Sequence, residues 1–299
     1  MLSYQHAYHA GNHADVLKHL TLMSVLKKLT IKAKPMFYLD THAGAGVYQM
    51  DDENGALNAE FERGVLKFQS LLRNSNNEIV KDYLAITSGF TKAKQYPGSP
   101  IIADYLLRET DNAHAADLHP QASQDLKKYL RRSKLSAHQR DGYEALNAFM
   151  PPKPNRGMVL VDPPYEQASE YADVYKAITS ALSAWPNGCF LIWYPLLSPT
   201  RVDRKTKEVA ENPKAGLSEE MIAKLGALAA KSVLNIQLCV SQPSPQIGMY
   251  GSGMCIINPP WKLEQDLSGV LATLQTVFAG DKDKDTSHLC QVNWIKTEV

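Results

Sequence analysis

The chain has 299 residues, 44% of them hydrophobic and 21% charged, which excludes a disordered polymer, a collagen-like fibre and a small disulfide scaffold. Lys and Arg number 32 against 31 Asp and Glu, a formal charge of +1. Bulk charge therefore does not coat nucleic acid, although a local basic face is open to it. The four cysteines, Cys189, Cys239, Cys255 and Cys290, form no CxxC pair, which argues against a zinc ribbon or a redox dithiol. The residues from Met1 to His6 lack a basic and then apolar leader, and no apolar run has bilayer length. A soluble, cytoplasmic protein without a membrane partner is expected.

In chain order, Val16, Leu20, Met23 and Leu26 fall at helical spacing behind Asn12, predicting a helix over 13–32 that Pro35 ends. Met36-Phe37-Tyr38-Leu39 reads as a short buried strand stopping at Asp40. Similar apolar runs recur at 115–118, 135–139, 158–161, 189–194, 234–240 and 254–257, with helical patterns at 121–132, 168–184 and 217–231. Strands alternating with helices predict a mainly parallel, doubly wound α/β sheet. The stretch 47–96 breaks the alternation. Leu57, Phe61, Val65, Phe68 and Leu72, then Ile79, Tyr83, Ile86 and Phe90, keep helical spacing around an Asn-Ser-Asn-Asn turn at 74–77. That pattern reads as a helical hairpin inserted into a domain made of 1–46 and 97–299, with 1–12 as an N-terminal arm.

The first strand runs into Asp40-Thr41-His42-Ala43-Gly44-Ala45-Gly46, a glycine turn that lets backbone approach a nucleotide-like ligand. A dinucleotide fold wants an acid about 20 residues on. The nearest acid at a strand end is Asp117, 71 positions past Gly46, which disfavours NAD and fits an insertion spliced into the loop. Asp117 can take ribose hydroxyls or cap the helix that starts near Pro120. Asp141-Gly142, after the third strand, can offer a carboxylate to an adenine amino group or make an ordinary turn.

Asp162-Pro163-Pro164-Tyr165 follows the fourth strand and carries the most specific chemistry. An exocyclic amine of adenine or cytosine is a poor nucleophile because its lone pair is delocalised into the ring. Two acceptors on its two hydrogens, the Asp162 carboxylate and the Pro163 carbonyl, would draw the nitrogen toward tetrahedral geometry. The paired prolines stiffen that corner, and Tyr165 offers a face for the extracted base to stack on. Asn258-Pro259-Pro260-Trp261 imitates the pattern behind the last apolar run. It is expected at a sheet edge, as a strand end leading into a Pro-started helix.

Near the N-terminus, His6, His9, His13 and His19 interleave with Tyr4 and Tyr8. Only Asp15 could complete a metal set, so an arm folding over a nucleotide is the favoured reading and no metal is expected. Basic residues cluster at Lys127 to Arg140, along the first helix from Lys18 to Lys34, and at Arg201 to Lys207. Each cluster is either a solvated face or a phosphate contact.

With the strand, glycine turn, distant acid, second acid and Asp-Pro-Pro-Tyr in this order, the chain resembles an AdoMet-dependent amino-methyltransferase. More narrowly it resembles the RlmJ family of bacterial 23S ribosomal RNA adenine-N6 methyltransferases, over nearly its whole length. Tyr4-Gln5-His6, His9 to His19, Leu39 to Gly46, Tyr96 to Pro100, Asp162 to Tyr165 and Asn258 to Glu264 carry the likeness. The resemblance implies a Rossmann-like class I AdoMet-dependent methyltransferase fold, with a seven-stranded, mainly parallel sheet, a reversed last strand and an inserted helical subdomain. It also implies AdoMet contacts at His19, His42, Ser99, Asp117, Asp141, Gly142 and Asp162, beside the Gly44 turn. Asp162 is the implied catalytic acceptor with Pro163 and Tyr165, and Tyr4 and His6 belong to the arm over the target base. The implied partner is 23S ribosomal RNA, met by a monomer with no obligate protein partner. His42 stands where most methyltransferases have the first glycine of the turn, Asp117 where a longer Glu is usual, and Arg201 to Gly216 is longer than typical. The rival readings are an amino-methyltransferase of DNA adenine, cytosine or a protein glutamine, and an inactive AdoMet- or RNA-binding module. The absence of a module that reads duplex DNA favours unpaired RNA.

Overall fold

Asn12 opens the first helix, α1 (His13–Thr30), by accepting from the backbone N–H groups of Ala14 and Asp15, which satisfies donors left unpaired at a helix start. Every residue from Ala14 to Leu26 is buried, so α1 runs through the interior. The computed structural model describes residues 9–50, 60–203, 205–278 and 290–297. Tyr4 and His6 of the expected arm lie outside the described residues.

β1 (Phe37–Asp40) is buried throughout. The chain then leaves the sheet through β2 (Val47–Gln49), a π-helical turn at Glu62–Leu66 running into α2 (Lys67–Leu71), α3 (Glu78–Lys92) and β3 (Gln95–Pro97). The two helical stretches agree with the periodicity. The ribbon at their neck, with Val47 opposite Pro97 and Gln49 opposite Gln95, was not anticipated, since three-residue strands carry no readable alternation. Gly98 N–H donates to the Gly46 carbonyl at 2.7 Å, so the excursion returns to the point it left. Its apolar side chains Phe61, Val65, Phe68, Val80 and Tyr83 share one core with Leu17 and Leu20 of α1. Gly64 lies so close to the segment before α1 that a Cβ there would stand 1.9 Å from the Gly11 carbonyl oxygen.

Beyond β3 the alternation resumes with α4 (Ser99–Leu106), β4 (Asn112–Asp117), α5 (Pro120–Tyr129), β5 (Leu135–Gln139), α6 (Gly142–Phe149), β6 (Gly157–Val161), α7 (Ser169–Ala184) and β7 (Cys189–Leu197). A ribbon of β8 (Thr200–Val202) and β9 (Val209–Glu211) precedes α8 (Leu217–Gly226), β10 (Val233–Cys239), β11 (Met249–Ile257), α9 (Leu263–Phe278) and β12 (Gln291–Lys296).

Among the described residues the main sheet has eight strands in the order β12-β10-β11-β7-β6-β1-β4-β5. The five strands from β7 to β5 are mutually parallel, while β11 runs against both β7 and β10, and β12 against β10. The seven expected strands, the reversed one among them, are therefore present, and β12 adds an eighth on the β10 edge. One core, under α1, α4, α5 and α9, covers one face, and a second, under α6, α7 and α8, covers the other. From β1 the chain proceeds outward to β4 and β5, then crosses back to β6 and β7. The topological switch point lies between β1 and β6, where open α/β sheets bind ligands beyond the strand carboxyl ends. Asp40 and Leu160 are paired there.

Asn258-Pro259-Pro260-Trp261 is placed differently from the expectation. β11 is not an edge strand but lies between β7 and β10, because the chain returns inward after β10. Its reversal carries Asn258 to the amino end of β7, where its side-chain amide donates to the carbonyls of Pro186 and Gly188 at 2.9 Å. The motif thus sits at the pole opposite Asp162, with Trp261 83% exposed, and α9 begins at Leu263 rather than at the prolines. Among the described residues no helix is long and apolar enough to cross a membrane.

Candidate active site

β1 ends in Asp40, which is 0% exposed. Ser99, the first residue of α4, donates its hydroxyl to Asp40 Oδ2 at 2.6 Å, and the Tyr38 hydroxyl reaches the same oxygen at 3.4 Å. Asp40 Oδ1 is buried with no hydrogen-bond partner among the described residues, the His42 backbone N–H lying near the carboxylate. Burial pushes the Asp40 carboxyl up to about 7, the Ser99 hydrogen bond opposing, the charge of Asp162 adding to the rise and Lys18 opposing it.

His42 stands at the centre of the turn that follows. Its Nδ1 lies 2.7 Å from the Thr41 hydroxyl, and its ring meets the Tyr143 ring edge-on at 5.3 Å. Burial lowers its pKa against the pull of Asp162, Asp117 and Asp141, so three carboxylates surround a neutral imidazole. Gly142 packs against it: a Cβ at that position would stand 2.3 Å from the Thr41 carbonyl oxygen and 2.7 Å from His42 Cε1. The glycine of Asp141-Gly142 is thus needed for close approach.

Asp117 accepts from Gly44 N–H through Oδ2 at 2.9 Å and from His119 N–H through Oδ1 at 2.8 Å. Asp141 Oδ1 accepts from Tyr143 N–H and Glu144 N–H, capping α6. Turn and cap roles therefore reside in the same carboxylates expected to meet a ligand. Asp117 uses one lone pair on each oxygen and Asp141 uses the two of Oδ1, so each carboxylate retains acceptor capacity and the two roles are compatible.

Asp162 follows β6 directly, across the switch point from Asp40. Its Oδ2 receives Lys18 Nζ at 2.5 Å, and Lys18 also reaches Asp15 Oδ1 at 2.7 Å. Lys18 is 4% exposed. Burial works against its charge, but Asp15 and Asp162 more than offset this and hold its pKa well above the ordinary value. Grouped by sequence among the basic residues decorating α1, Lys18 is in fact an internal partner of the corner. The legible signals were Asp15 at i,i+3 and the apolar residues Val16, Leu17 and Leu20 on every side.

Tyr165 is the clear departure. Its ring, expected to face an extracted base, is 2% exposed. The hydroxyl donates to the Trp193 carbonyl at 2.9 Å, and the ring lies 4.6 Å from that of Tyr171. The cause is local backbone: Tyr165 has φ +50°, a left-handed conformation that costs a bulky residue energy and that accompanies a side chain turned under the corner into the α7 and β7 layer. Lys214 braces this turn by donating to the Tyr165 carbonyl at 2.8 Å and the Glu166 carbonyl at 3.3 Å.

The remaining expected residues divide simply. His42, Gly44, Asp117, Asp141, Gly142 and Asp162 gather at one rim, and Ser99 joins them through Asp40. His19 is buried beside Lys18, with Nδ1 2.8 Å from the Tyr96 hydroxyl, where α1 meets the β2–β3 ribbon. His9 is taken up by Glu60 at 3.1 Å. Among the described residues no group of three or more His, Cys, Asp or Glu could hold a metal ion.

The family described as "Ribosomal RNA large subunit methyltransferase D, RlmJ" matches residues 33–295. A protein named "Ribosomal RNA large subunit methyltransferase J" from Escherichia coli (strain K12) is 36% identical over 304 aligned residues, covering 100% of both chains. One of the same name from Haemophilus influenzae is 37% identical, covering 92% of this chain and 93% of its own. The crystal structure of a Legionella pneumophila protein, LPL1258, superposes with a TM-score of 0.78 at 31% identity, over 96% of this chain and 97% of that one. With a family match across most of its length and relatives of this identity from end to end, the chain belongs to the RlmJ family of large-subunit ribosomal RNA methyltransferases.

Proposed function

We propose that this protein transfers a methyl group from S-adenosyl-L-methionine to the N6 amine of an adenine in 23S ribosomal RNA. The carrying observation is the corner at Asp162: a carboxylate at the carboxyl end of β6, beside the switch point, held on one oxygen by a buried lysine. The rim fits the cofactor. It has a buried Asp40 oxygen with no hydrogen-bond partner among the described residues, carboxylates at Asp117 and Asp141 around a neutral His42, and a glycine packed against that ring. When bound there, AdoMet supplies an electrophilic methyl carbon. Asp117 would hold the ribose hydroxyls, Asp141 the adenine amino group, and Ser99 and His42 the neighbouring parts of the ligand.

Lys18 fixes Asp162 Oδ2, which leaves Oδ1 and the Pro163 carbonyl to accept the two hydrogens of the target amine. Both acceptors are held before substrate arrives, so little reorganisation remains at the moment of reaction. Tyr165 contributes as the left-handed pivot that keeps Pro163 and Pro164 in place. Tyr4 and His6 belong to an arm over the base, and 47–96 to an inserted helical subdomain of a domain formed by 1–46 and 97–299. Such a substrate places the work in the cytoplasm.

The test is Asp162→Asn. It should bind AdoMet within about twofold of wild type by calorimetry while methyl incorporation into protein-free rRNA falls by roughly 100-fold, the scale set by losing one preorganised group. Unimpaired turnover refutes the role. Incorporation into duplex DNA rather than rRNA by the wild-type protein refutes the substrate.

A further inference from the structure

The segment from Arg201 to Gly216 has no part in the rim just described. Its location is nevertheless specific. β6 ends at Val161 opposite Ile192, whereas β7 continues to Leu197, paired only with β11. Five residues of β7 overhang the corner, about 16 Å at a strand rise of about 3.3 Å. The β8–β9 ribbon grows from the tip of that overhang. Its foot is tied on both sides. Asn212 donates through its side chain to the Ser198 carbonyl at 3.0 Å and through its backbone to the Pro199 carbonyl at 2.8 Å. Val202 N–H donates to the Pro245 carbonyl at 3.0 Å. Lys214 then links the ribbon directly to the Tyr165–Glu166 turn.

A two-stranded ribbon of three-residue strands is marginal by its own contacts, and this one leaves Val209 59% exposed. It is not held out for packing. Its composition indicates what for: residues 200–211 contain four basic residues, Arg201, Arg204, Lys205 and Lys207, and three acidic ones, Asp203, Glu208 and Glu211. Arg201, Lys205 and Lys207 are exposed and form no ion pair within 4.0 Å among the described residues. One of the acids, Asp203, turns its carboxylate onto the backbone N–H groups of Lys205 and Thr206 at 2.8 and 2.9 Å, closing the tip. Lys207, with φ +63°, completes that turn.

We propose that the β8–β9 ribbon is a docking arm for the phosphodiester backbone of the substrate RNA, holding nucleotides that flank the base presented to Asp162. This rests on the rRNA methylation reading above and adds where the strand lies. Charge complementarity and the tie to the Tyr165 turn favour RNA here over an acidic protein surface. Arm and corner are one mechanical piece, so a strand held by the ribbon is held in register with Asp162.

The experiment compares wild type with Arg201→Gln/Lys205→Gln/Lys207→Gln in the full chain, using a protein-free 23S rRNA transcript over a range of salt concentrations. The expected result is a KM for RNA raised at least about tenfold, with kcat at saturating RNA within about twofold and AdoMet affinity unchanged. The slope of log KM against log salt should flatten by about 2, from about 0.7 per phosphate contact on a single strand. Lys205→Arg/Lys207→Arg, which keeps the charge, should retain the wild-type KM. An unchanged KM and slope in the triple variant, with wild type active, overturns the arm alone. A loss seen only with ribosomal particles, and not with the transcript, overturns it in favour of a protein contact. A wild type that methylates no RNA overturns the underlying reading and the arm together.

Discussion

Asp40→Asn isolates the most unusual electrostatic feature of the rim. Burial holds the Asp40 carboxyl at about 7 in place of its ordinary 3.8. Between those values the folded protein keeps a proton that the unfolded chain releases. The group's contribution to stability is therefore fully present below about pH 4, is lost as pH rises through 7, and is absent above. At about 1.36 kcal/mol per pH unit the whole span is about 4 kcal/mol, and the part between pH 5 and pH 8 about 3 kcal/mol. Asp40 is 0% exposed, so solvent screening does not reduce the figure. Asparagine keeps the shape and still accepts from the Ser99 hydroxyl, but it has no charge to desolvate. Urea unfolding of both proteins at pH 5 and pH 8 gives the double difference directly: the variant should gain about 3 kcal/mol on wild type between the two pH values. A double difference below about 0.5 kcal/mol, the ordinary error of such comparisons, refutes the reasoning.

Three further outcomes follow from the same geometry. Lys18→Met leaves Asp15 and Asp162 facing each other without a cation and should cost about 3–5 kcal/mol in urea unfolding, part of which Asp15→Asn recovers. In Gly142→Ala the new methyl would stand 2.3 Å from the Thr41 carbonyl oxygen. The His42 turn must shift, and calorimetry should show AdoMet binding weakened by roughly tenfold, with overpacking costing about 1–3 kcal/mol. Tyr165→Phe loses the hydrogen bond to the Trp193 carbonyl and about 1 kcal/mol of stability, while kcat stays within about twofold. A collapse of kcat at unchanged stability would put that ring against the base after all.

Much of the architecture was legible because strands buried on both faces read as continuous apolar runs. Met158 to Val161 and Cys189 to Ile192 appear where expected, as do helical segments between Glu62 and Lys92. β12 was not found, since Gln291 to Lys296 alternates too weakly to separate from loop. Around the site, acids at strand ends could be located by position alone, and Asp117, Asp141 and Asp162 do gather round His42. The direction of a side chain could not be read in the same way. Tyr165 turns inward because of one positive φ, and Lys18 is internal because two carboxylates await it. Both facts depend on pairings between residues distant in sequence, 144 positions apart for Lys18 and Asp162, which local pattern does not encode. Asn258-Pro259-Pro260-Trp261 shows the converse error, a motif matched locally and carried to the far pole by a reversed strand.

The Gly98 N–H to Gly46 carbonyl hydrogen bond joins the ends of the excursion between β1 and α4. A loop whose ends already meet is almost indifferent to its own length, each doubling adding only about 0.6 kcal/mol of closure entropy. Growth or shrinkage of the connections between its helices during evolution would leave the rim undisturbed as long as the clasp survives. The two glycines themselves have no such latitude. Gly46 has φ +81°, and a methyl on Gly98 would stand 3.1 Å from the Gly46 oxygen. Diversification is thus free in the connections between its helices, and barred at the gateposts and where Gly64 and the buried apolar residues pack against α1.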